Sequence, residues 1–400
     1  MPIVSQFEDF RCGGKAHVRL GFFPQLAPSQ TQHRLFVRVA PGLEPWLSGE
    51  LAALGLAGKG VDGGLELRAS TEQLWTIHRE CRLAESVRVR LRSFQARRFD
   101  ELIEGLKRLP WHAYLNRQRS LSVRVTCHRS RLWHSEAVSE RVRSTLAPFV
   151  SNENQANGHE PQTVFIRITG DAVQASIDAS GELLHRRGYR TQVGTAPIRE
   201  TLGAALVRML EPKATSATLW DPFCGSGCLP LEWLESKLGA PAGRDRTYAF
   251  EHWPTHDAVL YRQWLDTRPA RRALPLAAFG SDIDQAVIEI AESNSARCQL
   301  EAASHWSCGD FEAVLAQIPL GTPILTNPPY GNRLGSKESY VRVLRRFEAM
   351  LARRSDLRPV VMLAPLPSRP WQPKLDWQVV GKFHNGGLPV QALRLAEPNA

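Results

Sequence analysis

The sequence predicts an α/β protein in which a basic N-terminal module precedes a doubly wound sheet, and three observations lead there. An apolar run ending at Thr218, Leu219 and Trp220 breaks at Asp221-Pro222-Phe223-Cys224-Gly225-Ser226-Gly227 and resumes as a helical stripe at Leu231, Leu234 and Leu238, which reads as strand, glycine loop and helix. Strand-like and helix-like periodicities alternate along both halves of the chain. The positive charge sits in one half: residues 1–150 hold 23 Lys and Arg against 14 Asp and Glu, whereas 151–400 hold 27 against 26. With 400 residues, 43% of them hydrophobic, the chain can bury cores for two or three domains.

Seven cysteines without CxxC pairs fit a reducing, cytoplasmic compartment better than a disulfide framework. Cys224 and Cys228 stand one helical turn apart, but no second ligand pair with zinc spacing accompanies them, so no metal is expected. The N-terminus lacks a basic segment followed by an apolar run, and no stretch approaches eighteen apolar residues, so a soluble protein is expected.

In the N-terminal half, residues 34–40 read as a strand, Leu43, Trp46, Leu47, Leu51 and Leu54 as a helix face, and Leu74, Ile77, His78 and Cys81 as another. His78 reads as a core or boundary histidine rather than a ligand. In 86–92, Val87, Val89 and Leu91 point one way and Arg88, Arg90 and Arg92 the other, so the strand has a greasy side and a cationic side. Residues 121–128 repeat the theme with Arg124 on the polar side, and Phe99, Leu102, Ile103, Leu106 and Leu109 form a helical stripe between the two. A basic module joined to a nearly neutral one suits nucleic-acid binding coupled to an enzyme; a solvated arginine-rich surface is the alternative. A polar loop at 151–158 and a hairpin of 164–169 with 172–177 lead to His185-Arg186-Arg187-Gly188-Tyr189-Arg190. Arg186, Arg187 and Arg190 can contact phosphates beside a stacking Tyr189, or form an ordinary basic linker.

In the C-terminal half, Gly225 and Gly227 let the backbone approach a nucleotide-like ligand, but Pro230 stands where a dinucleotide fingerprint needs its third glycine and no Lys-[Ser/Thr] follows, which disfavours NAD and ATP. Residues 276–280 read as a strand ending at Asp282, placed to bind ribose hydroxyls, with Asp284 capping the next helix. The 61 positions from Asp221 to Asp282 imply an insertion, whose Trp253 and Trp264 read as a subsidiary core. Asp310 either caps a helix or receives the adenine amino group of a cofactor. Residues 323–326 deliver Asn327-Pro328-Pro329-Tyr330 to the same strand edge. Two prolines fix the backbone and remove N–H groups, so an Asn oxygen and the Pro328 carbonyl stay available beside an aromatic face. Such a ledge can hold an amino group on a planar ring. Val341, Leu344, Phe347 and Leu351 make a helix face, 359–364 a further strand, and the last thirty residues a closing hairpin.

The sequence resembles the class I S-adenosylmethionine-dependent methyltransferases, specifically the THUMP-domain RNA guanine-N2 methyltransferases of the bacterial large-subunit rRNA type. The resemblance is carried by the connector from Asp178 to Arg190, Ala196-Pro197-Ile198-Arg199-Glu200-Thr201-Leu202, the Asp221 to Gly227 loop, Trp253-Pro254-Thr255-His256-Asp257, Gly280-Ser281-Asp282-Ile283-Asp284 and Asn327-Pro328-Pro329-Tyr330-Gly331-Asn332-Arg333-Leu334, with a similar Asn385-Gly386-Gly387-Leu388 turn near the end. It implies an unassigned extension at 1–32, a ferredoxin-like region at 33–90, a THUMP RNA-binding domain at 91–180, a connector at 181–195 and a seven-stranded Rossmann-like methyltransferase domain at 196–400. Unlike many large-subunit enzymes of this group, the sequence shows no second methyltransferase domain.

By the same resemblance, S-adenosylmethionine is the cofactor: Gly225 and Gly227 receive its amino-acid end, Asp221 belongs to that loop, Arg199 and Glu200 border the methionine side, Asp282 takes the ribose and Asp310 the adenine. Asn327 and the Pro328 carbonyl would accept hydrogens from guanine N2 while Tyr330 stacks on the flipped base. RNA is the expected partner, rRNA first and tRNA second, with no obligate protein partner. The tetrapeptide also serves DNA adenine-N6 and protein glutamine methyltransferases, and a non-catalytic RNA-binding assembly factor is the reading outside enzymes.

Overall fold

Alternating burial builds the first sheet. In the computed structural model, which describes residues 32–151, 160–190, 198–211, 216–329, 337–366 and 371–397, strand β1 (Gln32–Arg38) buries His33, Leu35 and Val37 and turns Arg34, Phe36 and Arg38 to the other side. β2 (Lys59–Val61), β3 (Gly64–Ser70), β4 (Ser86–Arg90), β5 (Phe94–Gln95), β6 (Leu121–His128), β7 (Gln162–Thr169) and β8 (Ala172–Asp178) complete it. The order is β2-β3-β1-β4-β8-β7-β6, with β5 on β8; every pairing is antiparallel except β6 with β7. β4 ends at Arg90, so Arg92 lies beyond the ladder, exposed in the following loop. The sheet continues unbroken from β4 into β8, where Arg88 lies opposite Asp178 and Arg90 opposite Ser176.

Helix Thr71–Glu80 begins with a capping box in which the Ser70 hydroxyl accepts from the Gln73 N–H at 3.2 Å and the Gln73 side chain accepts from the Ser70 N–H at 2.8 Å. That helix buries His78, whose ring nitrogens meet the Leu74 carbonyl at 2.8 Å and the Ser180 hydroxyl at 3.1 Å; burial lowers its pKa to about 3, so it is a neutral core residue.

The second sheet comprises β9 (Thr218–Asp221), β10 (Ala277–Asp282), β11 (Ser304–Cys308), β12 (Ile324–Thr326), β13 (Val360–Pro365), β14 (Trp377–Asn385) and β15 (Leu388–Leu395), in the order β11-β10-β9-β12-β13-β15-β14. It is parallel from β11 to β13 and closes with the antiparallel hairpin of β14 and β15. Both faces are covered, as parallel strands require: Leu219, Leu325, Val361 and Leu363 join one apolar cluster, and Trp220, Ile324, Val360 and Met362 the other. The first of these clusters extends into the N-terminal sheet through residues such as Val87 and Ile177, so the two sheets share a core. The insertion between β9 and β10 adds Phe250, Trp253, Tyr261 and Trp264 to it, with Tyr261 and Trp264 stacked 5.9 Å apart and both near Trp75.

The connector locks the halves together electrostatically. Glu232, fully buried on helix Cys228–Lys237, accepts from Arg82 Nη1 at 3.1 Å, Arg187 Nε at 3.4 Å and the Tyr189 hydroxyl at 3.1 Å. Arg187 also donates to the carbonyls of Arg82 and Leu184. The expectation that Arg187 and Arg190 face RNA is therefore corrected: Arg187 is 4% exposed, and Arg190 is ion-paired with Glu200 at 3.2 Å in the interior. Glycine and tyrosine interleaving marked a packed joint here. Arg186 is exposed and pairs with Glu182 at 2.8 Å. Among the described residues, no helix is long and apolar enough to cross a membrane.

Candidate active site

Parallel β9, β10 and β12 lie side by side, so Asp221, Asp282 and Asn327 arrive at one carboxyl edge. The chain leaves β9 for β10 on one side and reaches β12 on the other, which makes this edge the switch point where open α/β sheets bind ligands. A cavity of about 330 Å³ lies there, lined by the Asp221 to Ser226 loop, Asp282, Asp310, Asn327 and Pro329.

The glycine loop is held by carboxylates. Gly225 N–H donates to Asp282 Oδ2 at 3.0 Å, while Asp282 Oδ1 accepts from Asp284 N–H at 3.1 Å. Gly225 has φ +50° and nothing within 4 Å of where a Cβ would stand, so its backbone is open to a ligand. Gly227, at φ +82°, works differently: a Cβ there would meet the Trp306 ring at 2.6 Å, so this glycine packs the loop against β11 behind the cavity wall. Asp284 caps helix Gln285–Arg297 through Ala286 N–H at 2.9 Å, as its position predicts.

Asp221 is fully enclosed. Its Oδ1 accepts from the Thr326 hydroxyl at 2.6 Å and from Phe223 N–H at 3.1 Å. Burial raises its pKa from 3.8 to about 7, against those two hydrogen bonds and helped by the neighbouring Asp282 charge. Burial likewise pushes the Cys224 and Cys228 thiols up, which keeps them protonated and unsuited to act as nucleophiles.

Asn327 follows β12 directly, and its side-chain oxygen is buried with no hydrogen-bond partner among the described residues. An unpaired buried acceptor costs about 1–3 kcal/mol, and this one lies on the cavity wall, where a donor can reach it. Tyr330 lies outside the described residues, as do Ala196 and Pro197.

Of the two uses read for Asp310, the structure shows the cap. Its Oδ1 caps helix Phe311–Val314 through Glu312 N–H at 3.0 Å, and the residue also lines the cavity. Arg346, on helix Lys337–Arg353, grips both its oxygens at 2.8 and 3.0 Å and reaches into the same wall. Arg199 and Glu200 stand one step away: Arg199 turns to Glu85 at 3.2 Å and Glu200 to Arg190, while their neighbours Ile198 and Arg190 line the cavity. Sequence reasoning missed Thr326 and Arg346. A threonine in a buried strand carries no mark of its partner, and Arg346 sits on a helix 36 positions from Asp310.

Residues 187–366 match the family described as UPF0020: RMKL-like, methyltransferase domain. This region belongs to that family. Over 377 residues the chain is 29% identical to "Putative RNA methyltransferase slr0064" of Synechocystis sp., covering 92% of this chain and 97% of the relative. It is 34% identical over 338 residues to Ribosomal RNA large subunit methyltransferase K/L of Methylococcus capsulatus, which amounts to 80% of this chain but 45% of the relative. The chain thus spans about half the length of that K/L relative. The fold is shared with SMU.472, solved as a complex with SAH, at a TM-score of 0.79 and 22% identity, covering 93% of this chain and 100% of that one. The UPF0020 region accordingly contains the glycine loop, the Asp282 strand end, the Asn327 ledge and strands β9 to β13, and the seven-stranded mixed sheet that β14 and β15 complete matches class I methyltransferase structures.

Proposed function

We propose that the chain is an S-adenosylmethionine-dependent RNA methyltransferase that methylates the N2 amino group of guanosine, in large-subunit rRNA. The observation that carries this reading is the buried Asn327 oxygen, unpartnered among the described residues, on the wall of a cavity that also holds Gly225, Asp282 and Asp310. The names of the Synechocystis and Methylococcus relatives support RNA as the substrate. On this reading 33–90 is a ferredoxin-like region, 91–180 a THUMP module, 181–195 a connector and 196–400 the methyltransferase domain. The enzyme works in the cytoplasm, where thiols such as Cys127 and Cys308 stay free.

The cavity suits this cofactor chemically. Gly225 offers an open backbone for its amino-acid end, Asp282 and Asp310 offer acceptors for hydroxyl and amino groups, and Phe311 and Ile283 offer apolar wall. When bound, S-adenosylmethionine supplies an electrophilic methyl group. The chain's own task is alignment. The Asn327 oxygen and the Pro328 carbonyl accept the two N2 hydrogens, which turns the nitrogen lone pair out of conjugation with the guanine ring and fixes its direction. Tyr330 stacks on the flipped base.

Asn327→Ala tests the assignment: SAH binding by calorimetry should persist while methyl transfer to rRNA is lost. Normal turnover in that variant sinks the reading. Nucleoside mass spectrometry of rRNA and tRNA from a deletion strain then identifies the substrate, with N2-methylguanosine expected to fall in the rRNA fraction.

A further inference from the structure

One face of the N-terminal sheet packs on the shared core, and the other is open and cationic. Register fixes its rows. Arg68 lies opposite Arg34, Arg90 opposite Ser176, Ser176 opposite Phe165, and Phe165 opposite Arg124; a neighbouring row sets Glu66, Phe36, Arg88 and Asp178 side by side. Residues of one face thus present basic side chains across β3, β1, β4 and β6, and Arg167 adds another on β7. The trough between β1 and β6 holds about 710 Å³.

Carboxylates do not balance this charge. Glu66 pairs with Arg90 at 3.0 Å, and Asp178 accepts from the Ser180 and Gly181 N–H groups at 3.1 Å. Arg34, Arg68, Arg124 and Arg167 are exposed and make no ion pair among the described residues. The Nε donors of Arg88 and Arg90 are buried without a hydrogen-bond partner among the described residues. Burial lowers the Arg88 pKa to about 10, and Arg38, Arg90 and Arg124 push it the same way. Like charges held together with unused donors suit a polyanion.

Two aromatic rings decide what kind. The Arg88 guanidinium lies 3.6 Å from the Phe165 ring centre and that of Arg90 4.6 Å from Phe36, so the middle of the face is paved with ring-backed planar cations. Planar cations of this kind stack on unstacked bases. A broad sheet face cannot enter the deep, narrow major groove of an A-form duplex, whereas an unpaired strand can lie across it. The face also leads toward the cavity: Arg38, at the end of β1, pairs with Glu85 at 3.1 Å, Glu85 holds Arg199 at 3.2 Å, and Ile198 beside it lines the active-site wall.

We propose that this open face is the docking surface for an unpaired segment of the RNA substrate, with phosphates on Arg34, Arg68, Arg124 and Arg167 and bases on the Arg88 and Arg90 platforms. This rests on the reading of the substrate as RNA. Arg34→Gln with Arg68→Gln, Arg124→Gln with Arg167→Gln, and the fourfold variant test it in the full chain, since all four side chains are exposed. The probes are a fluorescein-labelled single-stranded RNA, the same strand annealed to its complement, and SAH. Wild type should prefer the single strand; each double variant should weaken that binding about tenfold and lower its salt slope by about 1.4, as two lost phosphate contacts require. Thermal melting and SAH affinity should not move. Unchanged RNA affinity and slope in the fourfold variant overturn the docking face while leaving the RNA reading intact, and preference for the duplex overturns the unpaired segment. A wild type that binds SAH but neither RNA overturns the RNA reading itself, and the docking proposal with it.

Discussion

The Asp221 carboxylate and the Thr326 hydroxyl, 105 positions apart, share a 2.6 Å hydrogen bond that ties the end of β9 to the end of β12. Asn327 is the next residue along, so the glycine loop and the Asn327 ledge are tied by this contact. Thr326→Val keeps the strand residue's shape and removes the bond. Asp221 Oδ1 then retains Phe223 N–H alone, and a buried acceptor left short costs about 1–3 kcal/mol. Denaturant midpoints should fall accordingly, and methyl transfer should drop about tenfold, a barrier change near 1.4 kcal/mol. Turnover equal to wild type would separate the ledge from the loop.

The same carboxylate predicts a pH dependence. Its pKa is raised from 3.8 to about 7 by burial, so between these values the unfolded chain has released a proton that the folded chain still holds. Stability therefore falls as pH rises from about 4 to about 7 through this group, and the loss is complete above the folded pKa. Asp221→Asn removes the titration. Urea unfolding of wild type and variant at several pH values should show a stability difference that shifts in the variant's favour across this window and levels off above it; a constant difference refutes the shifted titration.

Legibility in the sequence followed the range of the interactions. Strand β6 is legible with both its bounds, 121–128, because alternation is local, and the Asp221 loop and Asn327 ledge stand out because glycine and proline constrain backbone wherever they stand. The β2 and β3 hairpin is faint in the sequence although Asp62-Gly63 sits at its turn, since β2 has only three residues. Helix Ser135–Leu146 is also faint in the sequence, because its buried Val138, Val142 and Leu146 are diluted by charged neighbours. Arg187 and Arg190 are illegible for a different reason. What buries Arg187 is Glu232, 45 positions on, and a charge pattern does not state its partner.

That partnership predicts a large stability effect. Glu232→Gln leaves Arg82 and Arg187 buried with only carbonyl and amide acceptors. Breaking a buried pair from one side costs about 3–5 kcal/mol. The denaturant midpoint should fall by that equivalent. Because Glu232 lies on the helix that follows the glycine loop, SAH should restore part of the loss by mass action.

Arg346 governs the far end of the cavity. Its two terminal nitrogens hold both oxygens of Asp310, it reaches Glu312 as well, and its guanidinium lies 5.2 Å from the Phe311 ring centre. A bidentate fork fixes the plane of the carboxylate, which a capping hydrogen bond from Glu312 N–H alone does not. Arg346→Ala should therefore blur the acceptor offered to an adenine amino group. Since the pair is nearly half exposed, solvent screening limits the effect to about three- to tenfold in SAH affinity. At saturating cofactor the turnover should stay within about twofold, because Asn327 is untouched. Arg353→Ala, which removes an ion pair to Glu312 but none to Asp310, is the matched control and should leave both quantities at wild-type values. Equal losses in the two variants would mean that helix Lys337–Arg353 supports the wall only as a scaffold.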